Sequence, residues 1–392
     1  MAGQLRHLVI FLALAVAGTT SATLIQGCGR EVPSSNKGEP SASPGTTASP
    51  VTPSSAPQRG GQLVVSVRTE PQTFNRYTRR DWPTDLISLL TNAKLTRINR
   101  VTQEVEPWLA ERWTTSPDGR TYTVTLRPDV TFSDGHPFTA ADVVFSFKAV
   151  YDARQGSVLG DSLTVSGRPL AVTARDPRTV EIRFPEPFAP GLRLLDNLPI
   201  LPEHKLGPAL ARGAFATAWN LDTPPADLAG LGPFVIERYI PGQRTILVRN
   251  PRYFRTDAAG VQLPYLDRVV VEVVPDQNAE LLRLESGDLD LTTAEVRPED
   301  YAPLKRLAEA GRVTLLDLGV AYDADSFWFN LTPGAFAGDP RAGWIQREEL
   351  RHAVSLAVDR TRFADTVYLG AGVPVFGPVT PSNTKWFSPA VP

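Results

Sequence analysis

Prolines interrupt this chain along most of its length, and they limit what it can fold into. There are 36 of them among 392 residues, about twice the usual share of roughly 5%. Because proline breaks helix interiors and central strands, we expect short helices, short strands and many turns. A single hydrophobic core rarely grows beyond about 250–300 residues. The length of the chain therefore predicts two or more lobes.

The charge balance argues against a nucleic-acid or anionic-membrane partner. The 40 Lys and Arg residues nearly match the 42 Asp and Glu residues, which gives a formal net charge of −2. No run of basic residues stands out. The single cysteine, Cys28, excludes an intrachain disulfide and a cysteine-based metal cluster.

The N-terminus is typical of an exported lipoprotein. Arg6 and His7 precede the apolar stretch "LVIFLALAVAG", which is too short to cross a bilayer and fits a signal peptide over residues 1–27. Cys28 follows in "LIQGCGR", which resembles a lipobox and predicts lipidation of Cys28. Residues 28–59 are rich in Ser, Pro and Thr and predict a disordered tether. The expected location is extracytoplasmic, anchored by lipid; the alternative is an ordinary signal peptide with an incidental cysteine.

From residue 60 onward the pattern alternates between strands and helices. Tyr122, Val124 and Leu126 alternate with polar residues, as in a half-buried strand. "PFVIERYIPGQRTILVRNP" predicts a hairpin, and "YLDRVVVEVVPDQNAELLRLESGDLDLT" predicts a strand, a helix and a strand. "TDLISLLTNAKL" predicts a helix capped by Thr84, "DSFWFNL" a strand, and "REELRHAVSLAVDRTRFADTVYLG" a helical segment. Hairpins mixed with βαβ units indicate an α/β fold.

The stretch "TFSDGHPFTAADVVFSF" has two interpretations. Asp134 beside His136 on a glycine turn suggests acid–base or metal chemistry. Alternatively, Asp134 binds nearby backbone amides, His136 lies on the surface, and Thr139 begins a helix with Asp142 as its capping-box partner. Because the sequence offers no second ligand at metal-binding spacing, the structural interpretation is favoured.

The sequence contains no catalytic motif that requires an enzyme. The four histidines lack the spacing of a zinc helix, and no nucleophile elbow, phosphate loop or dinucleotide fingerprint occurs. Asp288 and Asp290 are paired carboxylates that we expect at the surface. Five tryptophans could line a binding cleft, although most are expected in the core: Trp82, Trp113, Trp219, Trp328 and Trp344.

A long segment resembles a known family. "EPWLAERWTTSPDGRTYTVTLRPDVTFSDGHPFTAADVVFSF" closely resembles the signature region of the family 5 extracellular solute-binding proteins, the oligopeptide- and dipeptide-binding lipoproteins of ABC importers. The likeness continues through "LGPFVIERYIPGQRTILVRNPRYF", "FWFN" and "ELRHAVSLAVDRTRFADTVYLGAG". It departs in "LGPF", which lacks the threonine often found between the glycines, and in the insertion "LTPGAFAGDPRAGW".

The resemblance implies an α/β, two-lobed periplasmic-binding-protein-like fold of class II with an inserted subdomain. Lobe I would comprise residues 60–96 and 225–318, the inserted subdomain residues 97–224, and lobe II would begin at residue 319 and extend to 392. Family members continue well beyond the equivalent of "FGPVTPSN", so the resemblance implies an incomplete second lobe.

The resemblance also implies a function. The chain would capture peptides or similar small solutes between its lobes, without a cofactor or metal, and deliver them to an ABC permease and ATPase. The expected ligand-binding residues lie in "TEPQTFN", at the next helix and in "DSFWFN": Glu70, Thr73, Asn75, Trp82, Trp328 and Asn330. Two alternatives stay open: an envelope hydrolase using Asp134 with His136 or Glu70, and a sensory or interaction lipoprotein. The exact ligand stays undetermined.

Overall fold

The computed structural model describes residues 9–11, 58–293, 296–316, 319–322, 324–370 and 372–389. The predicted signal peptide, Cys28 and the tether lie outside the described residues, apart from 9–11 and the last two residues before Gly60. Among the described residues no helix is long and apolar enough to cross a membrane. These residues fall into two compact units, one spanning 58–292 and the other containing 9–11 with those from 293 onward.

The secondary structure is a succession of short elements, as the prolines predict. The described strands are β1 Val9–Phe11, β2 Gln62–Val67, β3 Thr96–Ile98, β4 Val105–Pro107, β5 Ala110–Thr115, β6 Thr121–Leu126, β7 Thr164–Val165, β8 Arg168–Pro169, β9 Ala171–Asp176, β10 Thr179–Arg183, β11 Phe234–Ile240, β12 Arg244–Arg249, β13 Arg268–Val273, β14 Leu291–Thr292 and β15 Thr314–Leu316. The described α-helices are α1 Trp82–Thr91, α2 Ala140–Tyr151, α3 Gly191–Leu194, α4 Glu203–Ala211, α5 Gln277–Ser286, α6 Pro298–Glu309, α7 Ala342–Ile345, α8 Glu348–Ala357 and α9 Arg360–Val367.

The larger unit contains a mixed five-stranded sheet in the order β11-β12-β13-β2-β14. Strands β11, β12 and β13 pair antiparallel, whereas β13 pairs parallel with β2 and β2 parallel with β14. Helix α5 crosses from β13 to β14, and Gly287 ends it with a φ of 81°. This confirms the predicted hairpin and the predicted strand, helix and strand. The carboxyl ends of β2, β13 and β14 lie at one edge, because parallel strands share a direction.

A second sheet in the same unit is antiparallel, in the order β5-β6-β10-β9. The alternation predicted for β6 is confirmed, since Tyr122, Val124 and Leu126 are buried. Helix α2 packs against β9 and β10. It begins with the predicted capping box. The Thr139 hydroxyl accepts from the Ala141 N–H in the first turn, and the Asp142 carboxylate accepts from the Thr139 backbone N–H.

Helix α1 is fixed closely against the start of β11. A Cβ added to Gly230 would lie 1.9 Å from the Thr91 carbonyl oxygen, and one added to Gly232 would lie 2.5 Å from that of Leu90. The Gly232 N–H also donates to the Thr91 carbonyl at 2.9 Å. Only a residue without a side chain permits this approach. Gly230 and Gly232 therefore hold the end of α1 at the edge of the sheet.

The smaller unit differs from prediction in its strand and its long helix. Residues 325–331, "DSFWFNL", form no strand, although the sequence predicts one. Among the described residues the segment has no strand partner, and the chain just before it is held by hydrogen bonds from residues 380–383, such as Asn383 Nδ2 to the Tyr322 carbonyl at 3.1 Å. The helical segment predicted from residue 347 divides into α8 and α9, because Val358 is extended and Asp359 caps α9 through the Arg362 N–H at 2.9 Å.

Two further predictions are wrong. Helix α1 begins at Trp82 with Asp81 as its N-cap, rather than at Thr84, whose N–H donates to the Asp81 carboxylate at 3.0 Å. Most of the tryptophans expected in the core are not there: Trp82, Trp328 and Trp344 are 50%, 81% and 58% exposed, whereas Trp219 is buried.

Candidate solute-binding site

The loop between β2 and α1 leaves the carboxyl end of a parallel strand, where open α/β sheets bind their ligands. It carries four of the six predicted ligand-binding residues: Glu70, Thr73, Asn75 and, at its end, Trp82. Trp328 and Asn330 belong to the other compact unit. The two groups of residues therefore belong to different units.

Glu70 is an exposed carboxylate held at a fixed position. Its Oε2 accepts hydrogen bonds from the Tyr239 hydroxyl at 2.6 Å and from the Gly242 N–H at 2.8 Å. The bond from Tyr239 and then the bond from Gly242 lower the pKa of Glu70, against a smaller effect of burial. Burial, followed by the Glu70 carboxylate, raises the pKa of Tyr239. Glu70 is therefore ionised at neutral pH and can meet a positively charged group.

Thr73 and Asn75 are buried, and their side chains fix the loop to residues 215–219. The Thr73 hydroxyl donates to the Trp219 carbonyl at 3.0 Å and accepts from the Asn75 N–H at 3.0 Å. The Asn75 amide donates to the Phe215 carbonyl at 2.9 Å, and its oxygen accepts from the Tyr77 N–H at 3.2 Å. Because these groups already have partners, the geometry favours a positioning role for Thr73 and Asn75.

The predicted aromatic residues are available at the surface. Half of Trp82 is exposed at the first position of α1. Trp328 is 81% exposed, next to Phe327 and Phe329, whose rings meet edge to face at 5.2 Å. The exposed Asn330 accepts from the Thr332 N–H at 3.1 Å through its side-chain oxygen. Contiguous exposed apolar residues, such as Phe327 and Trp328, suit contact with a ligand or another surface.

The Asp134 turn has a neighbour that sequence reasoning missed. His204, at the start of α4, brings its Nε2 to 2.8 Å from Asp134 Oδ2, and its ring stacks on that of His136 with centroids 3.8 Å apart. Asp134 also accepts from the His136 backbone N–H at 3.1 Å, as predicted. Burial raises the pKa of Asp134, but the bonds from His204 and the His136 N–H outweigh it and lower the pKa. The turn is thereby tied to α4.

Among the described residues, this cluster shows neither a nucleophile bonded to His204 nor a set of metal ligands. In the portion of the chain that the structure describes, His204 Nδ1 has no hydrogen-bond partner, so no hydroxyl or thiol is activated there. Over the same portion, no group of three or more His, Cys, Asp or Glu side chains is arranged to hold a metal ion. The cluster acts as a link between elements.

Comparison with known proteins gives the relationship. The family model of the bacterial extracellular solute-binding proteins, family 5 Middle, matches residues 104–392. The chain is 30% identical over 338 residues to a probable ABC transporter-binding protein of Deinococcus radiodurans, covering 84% of this chain and 56% of that protein. It is 28% identical over 344 residues to the oligopeptide-binding protein AppA of Bacillus subtilis, covering 84% of this chain and 56% of that protein.

The fold agrees with this relationship. The crystal structure of Bacillus subtilis AppA in complex with a nonapeptide matches with a TM-score of 0.66 and 26% identity, over 86% of this chain and 60% of that chain. The chain thus spans little more than half the length of the relatives it matches. The predicted α/β periplasmic-binding-protein fold class is confirmed, and the family is one of extracytoplasmic binding proteins rather than enzymes. The chain belongs to the bacterial extracellular solute-binding proteins, family 5.

Proposed function

We propose that the protein captures a peptide or a similar small solute and delivers it to an ABC permease and ATPase. The family match over residues 104–392 is the observation that carries this proposal. The oligopeptide-binding relative AppA supports a peptide as the solute class. A lipid on Cys28 would keep the protein at the outer face of the membrane, with residues 28–59 as a tether.

In this proposal two lobes supply the walls of the site. Residues 60–96 and 225–318 form lobe I, residues 97–224 the inserted subdomain, and residues from 319 onward belong to lobe II. The two-sheet arrangement supports this division, because the strands of the five-stranded sheet fall in the first set and those of the four-stranded sheet in the second. Contacts on both sides of a solute exclude water and tighten binding.

The residues have separate roles in the proposed site. Glu70 pairs with a cationic group of the solute, because its carboxylate is exposed and already oriented. Trp82 and Trp328 pack against apolar side chains, and Asn330 hydrogen-bonds the solute. Thr73 and Asn75 hold the loop that presents Glu70.

Isothermal titration with lysine-containing tripeptides tests the role of Glu70. Glu70→Gln keeps the shape of the side chain and removes its charge, so affinity for these peptides should fall about tenfold, the value of one charge-assisted interaction. Tripeptides with norleucine in place of lysine should bind both proteins equally. Glu111→Gln is the matched control, since Glu111 is an exposed carboxylate of the four-stranded sheet. Equal lysine-peptide affinity in Glu70→Gln and wild type would exclude this role.

The envelope-hydrolase alternative rests on one observation, the meeting of Asp134 with His204 and His136. A turnover assay on mixed peptides separates it from solute binding. We expect peptides to be bound and released unchanged, and cleavage that disappears in His204→Ala would support the hydrolase instead.

A further inference from the structure

Three arginines gather around two aromatic rings in the larger unit, and the proposed solute site uses none of them. The Cζ atoms of Arg255 and Arg97 lie 3.9 Å and 4.4 Å from the ring centroid of Trp108. Phe254 meets Trp108 edge to face at 6.4 Å, and Arg127 lies 5.9 Å from the centre of Phe254. Cations over an indole face are held by its quadrupole. The rings therefore assemble three like charges at one place.

The partners of the three guanidiniums differ. Arg97 Nε donates to Glu106 at 2.7 Å, and Arg127 Nε donates to the Trp108 carbonyl at 2.6 Å. Around Arg255, the described part of the chain provides no hydrogen bond or ion pair to the guanidinium. Three positive charges and one carboxylate give the cluster a local charge of about +2.

The charges in the cluster are not balanced. Burial lowers the pKa of Arg255, and the nearby charges of Arg97 and Arg127 lower it further, against opposing effects of Tyr253 and Glu106. An oxyanion placed at Arg255 would offset this repulsion. The half-buried position of Trp108 and Arg255 leaves part of both side chains accessible to solvent.

Arg97 shows which anion suits this place. Its guanidinium stacks on Trp108 while its edge binds a carboxylate, that of Glu106, which Asn99 also holds at 2.7 Å. A planar guanidinium can stack on an aromatic ring while the N–H groups at its edge donate hydrogen bonds to a carboxylate. Arg255 has the same stacking without the carboxylate.

We propose that Arg255 and Trp108 form a docking site for an acidic side chain, Asp or Glu, presented by a partner protein. Tryptophan and arginine are the residues on which protein interfaces concentrate their binding energy. The hairpin of β3 and β4, which carries Arg97 and Glu106, also ends in Val101, whose side chain is 91% exposed and can add an apolar contact.

Titration calorimetry of the full chain with hexaglutamate, capped at both ends, tests this site. We expect binding that weakens with added salt, and none with capped hexaglutamine. Arg255→Ala should weaken binding about tenfold, equivalent to one charge-assisted hydrogen bond. Arg255→Lys should also weaken it, since lysine lacks the planar fork. Arg238→Ala removes an exposed arginine of the same unit and should leave binding unchanged.

A second variant should increase affinity for hexaglutamate, a result that misfolding cannot produce. Glu106→Gln removes the internal carboxylate, raises the local charge and should tighten hexaglutamate binding several-fold. Unchanged or weaker binding in Glu106→Gln would overturn the proposal, as would wild-type affinity in Arg255→Ala. So would Arg255-dependent sedimentation with phosphatidylglycerol vesicles in the absence of hexaglutamate binding, because the partner would then be a lipid phosphate.

Discussion

Asn75 should be one of the most sensitive positions in the chain, because its side chain is fully buried and bonded on both sides. Asn75→Ala leaves the Tyr77 N–H without its partner in the interior and removes one of two hydrogen bonds to the Phe215 carbonyl, which still accepts from the Ala218 N–H at 3.2 Å. Leaving one buried polar group unsatisfied costs about 1–3 kcal/mol, so Asn75→Ala should lower the free energy of unfolding by about that amount. The Ala218 carbonyl, at 3.4 Å, adds little.

Asn220 provides the matched control. Its side-chain oxygen also accepts two hydrogen bonds, from the Asp222 N–H at 3.1 Å and the Thr223 hydroxyl at 3.2 Å, but the residue is exposed. Water replaces those bonds in Asn220→Ala, so the cost should stay below about 1 kcal/mol. Urea unfolding followed by circular dichroism measures both.

The outcome also bears on the loop that presents Glu70. If Asn75→Ala and Asn220→Ala unfold at the same urea concentration, burial does not raise the cost of the lost bonds and the reasoning fails. Amide exchange gives a local check, because the Tyr77 N–H should exchange much faster in Asn75→Ala than in Asn220→Ala.

Thr139→Ala should lower the free energy of unfolding by about 1 kcal/mol in urea, and Thr139→Ser should restore it. Burial raises the pKa of Asp134, but its hydrogen bonds from His204 and from the His136 N–H together outweigh this and lower the pKa in the folded protein. The ionised carboxylate should therefore contribute its full stability above pH 3.8, and this contribution should be lost as the pH falls through the lower folded-state pKa. Thermal melts of Asp134→Asn should lack this pH-dependent loss of stability. Because Trp328 is 81% exposed beside the 78% exposed Phe327, we expect the protein to self-associate at high concentration, and Trp328→Ser should elute later in size-exclusion chromatography. Cys28→Ser should move the protein from the membrane to the soluble envelope fraction, and unchanged partitioning would contradict lipidation.

Local patterns predicted the elements of the larger unit well. The alternation in β6, the turn between β11 and β12, and the capping box of α2 each depend on residues within a few positions of one another. The cap of α1 was wrong by three positions because Asp81 and Thr84 are both good N-caps, and the choice depends on which side chain meets the free amides. The strand predicted at "DSFWFNL" was also wrong, because a strand needs a neighbouring strand to pair with and the residues of the segment alone do not show whether one is present.

Long-range contacts could not be predicted in the same way. His204 is 70 residues from Asp134 in sequence, and only the packing of α4 against α2 and the turn brings them together. The buried state of Asn75 likewise depends on residues 215–219, about 140 residues away. Its sequence signal was slight: a polar residue between Phe74 and Tyr77, two large aromatics that pack inward.

The close approach of Gly230 and Gly232 to helix α1 limits which parts of the proposed site can move. The end of α1 cannot slide along the sheet, because its last carbonyls already touch the backbone of the segment entering β11. A rearrangement of the loop between Arg68 and Asp81 during solute capture would therefore leave the helix in place and be confined to loop residues outside the anchored segment 73–77. Saturation mutagenesis should find both glycine positions intolerant even of alanine, while surface positions of the loop accept many residues. Substitutions that change ligand preference among related chains would then lie in this loop, while Gly230 and Gly232 stay unchanged.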